Sequence, residues 1–155
     1  MTRRAWSRLI RELARRGHGN REAGAFLLAR AEDSRRRVVA VAYYDNLDPN
    51  SLRGNIAFSR DGFARLNDLC RERGLAVVTD VHTHQTGWVS QSETDRTNPM
   101  VRIAGHVAVI VPNYARGRIR PNDTGVHIYE GNHRWTSRYG RGASEVLTLT
   151  WWSKP

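Results

Sequence analysis

Between residues 82 and 95 the chain runs His82-Thr83-His84-Gln85-Thr86-Gly87-Trp88-Val89-Ser90-Gln91-Ser92-Glu93-Thr94-Asp95, and these residue types at these spacings can hold a metal ion. On an extended strand, residues i and i+2 point to the same side, so His82 and His84 aim their imidazoles at one place. Ser90 with Glu93 has the spacing of a capping box, which predicts a helix starting near Ser90. Ser92 and Asp95 then stand three apart, neighbours on one helical face. A loop that folds this helix back over the strand end brings Asp95 to the two histidines. Two imidazoles and a carboxylate suit zinc, and three protein ligands leave a fourth tetrahedral position for water, as catalytic sites do and structural ones do not. Each member also has an ordinary reading, a polar histidine pair at a strand end and an acidic residue favoured in the first turn of a helix. Their joint spacing is what argues for chemistry.

Such a site needs a strand ahead of His82 and a helix behind the loop. Residues 75–81 are strand-like and deliver the chain into His82. The helix after the loop is ended by Asn98-Pro99. Upstream, Trp6, Leu9, Ile10 and Leu13 recur at helical spacing within residues 2–16, with arginines opposite and Gly17 as a stop. Residues 25–29 and 38–44 read as strands on either side of the polar turn 32–37, and residues 45–54 as a loop. A further short strand is expected at 55–58. Ser59 caps a helix running to Arg73, which places Cys70 beside Phe63, Leu66 and Leu69 as a small core residue rather than a nucleophile. Residues 106–111, 126–129 and 146–152 are three more strand candidates. Helices mixed with about six or seven short strands predict one α/β (α+β) domain with a mixed sheet.

Length and composition bound the rest. The chain has 155 residues, enough for one domain, with 39% hydrophobic and 26% charged residues, a folded and water-compatible composition. No stretch approaches the run of about 20 apolar residues that spans a bilayer. Met1-Thr2-Arg3-Arg4-Ala5-Trp6 has no apolar segment behind it, so no signal peptide is expected and a cytoplasmic protein is. The single cysteine, Cys70, excludes an intramolecular disulfide and a cysteine-built zinc finger, leaving any metal to His, Asp or Glu. Lysine and arginine total 25 against 15 acidic residues, a net +10, and Lys154 is the only lysine. A field of that sign favours nucleic acid, an anionic surface or an acidic partner, without choosing among them.

The pattern H-x-H, seven residues, S, two residues, D resembles the zinc signature of the JAMM (JAB1/MPN) metalloprotease family. That family also carries an upstream glutamate at the start of a strand, followed by glycine and apolar residues. Glu22-Ala23-Gly24-Ala25-Phe26-Leu27-Leu28 resembles this element, whereas Glu12 and Glu32 precede no apolar strand. The resemblance covers residues 22–129, most of the chain. It implies a single JAB/MPN-like domain over residues 1–155, with its core at 18–130 and a mixed, curved β-sheet flanked by helices. It implies one catalytic zinc held by His82, His84 and Asp95, Glu22 as the acid–base residue and Ser92 as a hydrogen-bond donor to the oxyanion of the intermediate. Two positions depart from the family pattern, Gln85 where proline is common and Ala23 where a second glycine is. Neither is a ligand position.

By the same resemblance the activity would be that of a zinc isopeptidase or peptidase, deubiquitinase-like and compact in the bacterial manner. It would cut after the C-terminal glycine of a ubiquitin-like protein, in a pathway with activating and conjugating enzymes. Trp88, between the halves of the motif, is a candidate substrate contact, and Asp80, two residues before His82, a candidate supporting partner. His18, His106, His127 and His133 lack metal-ligand spacing and are expected to be structural or surface residues. Two alternatives stay open, a nucleic-acid-binding or DNA-repair-associated JAB-like domain and a hydrolase that processes sulfur-carrier proteins.

Overall fold

The apolar runs become strands and the periodic ones helices in the computed structural model, which describes residues 1–53 and 56–151. Six strands, β1 (Gly24–Arg30), β2 (Val38–Tyr43), β3 (Leu75–Thr83), β4 (Val107–Val111), β5 (Gly125–Gly131) and β6 (Arg134–Arg138), form one sheet in the order β2-β1-β3-β4-β5-β6. The β3–β4 pair is parallel and the other pairs are antiparallel. Strands β1 and β4 lie inside the sheet and are buried along most of their length, which is why they read as continuous apolar runs rather than alternating ones.

Among the described residues five α-helices flank the sheet: α1 (Arg3–Arg16), α2 (Tyr44–Leu47), α3 (Arg60–Arg73), α4 (Glu93–Thr97) and α5 (Arg141–Val146). Helix α1 is capped by Thr2, whose hydroxyl accepts from the Ala5 N–H at 3.1 Å, and it buries Trp6, Leu9, Ile10 and Leu13. The Trp6 indole N–H donates to the Ile119 carbonyl at 2.9 Å, so the buried ring keeps its one polar group satisfied. No helix among the described residues is long and apolar enough to cross a membrane.

Register decides what the sheet presents. Gly24 pairs with His82 and Phe26 with Asp80, and cross-strand partners project to one face. The face that carries His82 and Asp80 is therefore the one on which Phe26 meets Tyr44 (4.8 Å between centroids) and Phe58 (5.3 Å, edge to face). An aromatic cluster built from β1, α2 and the start of α3 thus abuts the strand bearing the histidines. Tyr44 fits because position 24 is glycine: a Cβ there would stand 2.2 Å from its ring.

Four expectations are corrected. The short strand at 55–58 does not form among its described residues (Asn55 lies outside them), because Ala57 N–H donates to the Ser51 carbonyl (3.1 Å) and Ser59 N–H to Asp48 Oδ2 (2.8 Å), binding the segment to the preceding loop. The 45–54 loop begins as α2, which already covers Tyr44–Leu47; Gly54 lies outside the described residues. In place of a strand at 146–152, the chain forms β6 earlier and α5 up to Val146; only Thr150 bridges, to Thr2, while Leu147 and Leu149 pack on the core and Trp152 lies outside the described residues. The hairpin that makes β6 turns at Asn132 and His133, whose φ values of 51° and 55° suit a tight two-residue connection. Lastly, α4 is capped by Ser92, not Ser90.

Candidate metal centre

Strand β3 runs two residues beyond its expected end, through His82 to Thr83, because Thr83 locks onto the start of β1. Thr83 N–H donates to the Ala23 carbonyl at 2.9 Å, and Ala23 N–H donates to Thr83 Oγ1 at 3.0 Å. That pair of hydrogen bonds sits between the two histidines on one side and next to Glu22, just ahead of β1, on the other, so the register that sets His82 also sets Glu22. Beyond Thr83 the chain is clasped from the other side. His84 N–H donates to the Val111 carbonyl (2.8 Å), Tyr114 N–H to the His84 carbonyl (2.8 Å) and Asn113 N–H to the Thr86 carbonyl (2.9 Å). Asn113 and Tyr114, which make two of these contacts, and Ala115 after them have φ of 54°, 53° and 59°, three successive left-handed residues that cost about 1–2 kcal/mol each and hold only where the surroundings enforce them.

Helix α4 supplies the carboxylate. Asp95 Oδ2 accepts from the Ser92 N–H (2.8 Å) and the Ser92 hydroxyl (2.7 Å), while Ser92 Oγ accepts from the Asp95 N–H (3.2 Å). The reciprocal box belongs to Ser92 and Asp95 because Ser90 is engaged elsewhere, its hydroxyl 3.0 Å from that of Tyr139. This box turns Asp95 toward the strand. His82 Nε2 lies 3.5 Å from Asp95 Oδ1, His84 Nε2 lies 3.3 Å from Asp95 Oδ2, and the two Nε2 atoms are 3.2 Å apart. One ligand atom from each residue falls within 4.8 Å of the other two.

The donors fit zinc in kind as well as in spacing. His84 Nδ1 lies 3.1 Å from the Trp88 carbonyl, a contact that places the proton on Nδ1 and leaves Nε2 free for a metal. Burial works against a charge on Asp95, but hydrogen bonds from His82 and His84 outweigh it and hold the carboxyl far below the usual carboxylate range. Burial likewise disfavours a charged His82, yet Asp95 reverses this and raises the imidazole pKa. The Asp95 carboxylate is thus already stabilised by the imidazoles it faces, a part that a bound cation would take over.

Glu22 lines the same cleft, of about 780 Å³, as His82, His84 and Asp95. Burial raises its pKa, the nearby histidines lower it in part, and Asp95 raises it again. Trp88 also lines the cleft, with its side chain 69% exposed, and Ile56, Phe58, Phe63 and Met100 form the apolar wall. Asp80 stands behind His82 with Oδ2 4.0 Å from Nδ1, too far for a hydrogen bond; its close partner is His106, at 2.7 Å, both residues 3% exposed. Cys70 is half-buried against the core, and burial raises its thiol pKa, as suits a packing residue.

Two residues outside the motif shape the loop that carries Trp88. His127, wholly buried in β5, donates from Nε2 to the Val89 carbonyl at 2.9 Å and accepts at Nδ1 from the Ser137 hydroxyl at 2.8 Å. Burial lowers its pKa and keeps it neutral. Gly125, two residues earlier, leaves room for that carbonyl, because a Cβ there would lie 1.9 Å from it. Neither has a local sequence signal, since both act across the sheet on a loop about 40 residues upstream.

Comparison with known proteins agrees with this geometry. Residues 3–125 match the family described as prokaryotic homologs of the JAB domain. The chain belongs to that family. Two solved structures share the fold of this JAB homologue. One is a protein of Desulfitobacterium hafniense, 19% identical, with a TM-score of 0.59 over 89% of this chain and 88% of that one. The other is a protein of Salinibacter ruber, 19% identical, with a TM-score of 0.58 over 88% of this chain and 86% of that one. In this JAB homologue the departures from the motif are accommodated locally: Ala23 is buried and keeps both backbone bonds to Thr83, and Gln85 lines the cleft.

Proposed function

We propose that this JAB homologue is a zinc-dependent peptidase or isopeptidase that cuts after the C-terminal glycine of a ubiquitin-like protein. The observation that carries the reading is the convergence of His82, His84 and Asp95 on one point of a cleft that also holds the half-buried Glu22. Zinc at that point would supply Lewis acidity, acidifying a water and polarising the scissile carbonyl. Glu22, with its pKa raised by burial, takes the proton of the attacking water and returns it to the leaving amine. The Ser92 hydroxyl, now donating to Asp95 Oδ2, turns to the developing oxyanion as a donor. Trp88, exposed at the rim, lies against the substrate tail as it enters.

The test uses a panel of ubiquitin-like proteins whose terminal glycine is joined to a fluorogenic amine, with the zinc-loaded wild type and Glu22→Gln. The wild type is expected to release the amine, and Glu22→Gln to keep its zinc while losing about 10²- to 10⁴-fold in rate, the usual contribution of a general acid–base residue. Full activity in Glu22→Gln, or zinc-loaded wild type inert on every member, contradicts the proposal.

A further inference from the structure

Beside the main cleft lies a second hollow of about 640 Å³, between the end of α4 and the face of β6. The two share Ser90, Gln91 and Trp135, so they are continuous, with Trp135 on the boundary. The Trp135 indole N–H donates to the Arg96 carbonyl at 3.1 Å, and its ring packs on Tyr129 with centroids 4.9 Å apart, so the boundary is fixed in place.

The charges along this surface are segregated. Every carboxylate lining either hollow, from Glu22, Asp80 and Asp95, belongs to the metal end. Away from it the ionised lining residues are arginines: Arg102 in the main cleft, Arg96 and Arg134 in the second hollow. None of these three has a carboxylate partner among the described residues, a state they share with other arginines such as Arg8 and Arg11 on α1; what sets them apart is that they line a concave surface next to the metal end. Uncompensated guanidiniums lining a concave surface focus a positive potential, and these three, all exposed, are free to turn their planar donors bidentately onto carboxylates. Arg96 follows Asp95 directly in the sequence, and the hollow it lines adjoins the main cleft along Ser90, Gln91 and Trp135.

We propose that the hollow bounded by Arg96, Arg134 and Trp135 binds acidic side chains of the polypeptide substrate, next to the segment held at the metal centre. The assignment rests on the peptidase reading above and narrows its substrate class. The preferred substrate carries glutamate or aspartate near the scissile bond, and a basic segment at that position is rejected.

Binding tests this separately from cleavage. Fluorescent extended peptides of equal length, carrying acidic, neutral or basic residues, are titrated by anisotropy into zinc-loaded Glu22→Gln. The acidic peptide is expected to bind at least about tenfold more tightly than the neutral one, and Arg96→Glu/Arg134→Glu to abolish that preference. The control Arg8→Glu/Arg11→Glu, on α1, changes the net charge equally and is expected to leave the preference within about twofold. Arg96→Gln/Arg134→Gln serves if charge reversal impairs folding, which thermal denaturation and zinc content report. Equal binding of all three peptides overturns the inference. So does an equal loss in the α1 control, which reduces the effect to net charge, or displacement of the acidic peptide by a single-stranded oligonucleotide that binds the hollow more tightly. Cleavage without charge preference overturns the inference and leaves the peptidase standing. Charge-selective binding in the hollow by a wild type that cleaves nothing keeps the hollow and overturns the peptidase.

Discussion

At the scale of single residues, Ser92 has two tasks that one substitution separates. Its hydroxyl holds the Asp95 carboxylate and caps α4, and the proposed chemistry asks the same hydroxyl to donate to an oxyanion. Ser92→Ala is therefore expected to lower turnover by about 10²- to 10³-fold through the lost donor, while loss of the cap costs only about 1 kcal/mol of stability. Steady-state kinetics and chemical denaturation on the same preparation give both numbers. His127 makes a pH prediction. Its folded pKa is depressed from 6.5 by burial, so the unfolded chain takes up a proton first as pH falls, and the stability due to neutral His127 is present above about pH 6.5 and lost below it. His82 is shifted the other way, its contribution present at low pH and lost as pH rises. The difference between wild type and His127→Gln isolates the first effect: in urea titrations of metal-free protein from pH 7.5 to 5, the wild type should lose more stability than the variant. At this scale the meeting of His82, His84 and Asp95, with Ser92 and Glu22 lining the same cleft, was legible as a placement, because ligand chemistry restricts residue type and strand and helix periods restrict spacing. His127 and the Asp80–His106 pair were not, because their partners are set by the sheet and not by nearby sequence.

Among the elements, the strands and helices with strong local signals formed where the sequence placed them, and the two expected strands that did not form share one cause. Residues 56–58 have strand-like composition but are captured by hydrogen bonds to Ser51 and Asp48, and Leu147 and Leu149 bury apolar surface without pairing. Pairing partners decide whether an apolar run becomes a strand, and those partners are not local. The capping box shows the same ambiguity within six residues: Ser90-Glu93 and Ser92-Asp95 both fit the pattern, and Tyr139 takes the hydroxyl of the first. The loop between the halves of the motif depends on β5 for its shape. Gly125→Ala forces a methyl into the Val89 carbonyl and is expected to cost about 1–3 kcal/mol and to weaken metal retention. Gly142→Ala, in α5 with its nearest neighbour 3.5 Å away, is expected to be neutral or to stabilise by up to about 1 kcal/mol. Thermal denaturation of the two variants beside the wild type checks the contrast.

For the molecule as a whole, one sheet gathers parts that are distant in sequence. Strand β1 brings Glu22, β3 brings the histidines, α4 returns Asp95, and β5 and β6 hold the loop and flank the cleft. The class of fold was readable from the mix of elements, and the family from the resemblance that the motif and the order of elements carry. The cleft and its cationic flank were not, because a net charge of +10 says nothing about where the arginines stand. All of the proposed chemistry depends on a metal at the meeting point of His82, His84 and Asp95. The most direct measurement is zinc stoichiometry by mass spectrometry on wild type and Asp95→Ala, both purified without chelator and then offered zinc. About one zinc per wild-type chain, lost in Asp95→Ala while the fold persists, is the predicted result. A wild type that takes up no zinc, or an Asp95→Ala protein that retains it in full, contradicts the account.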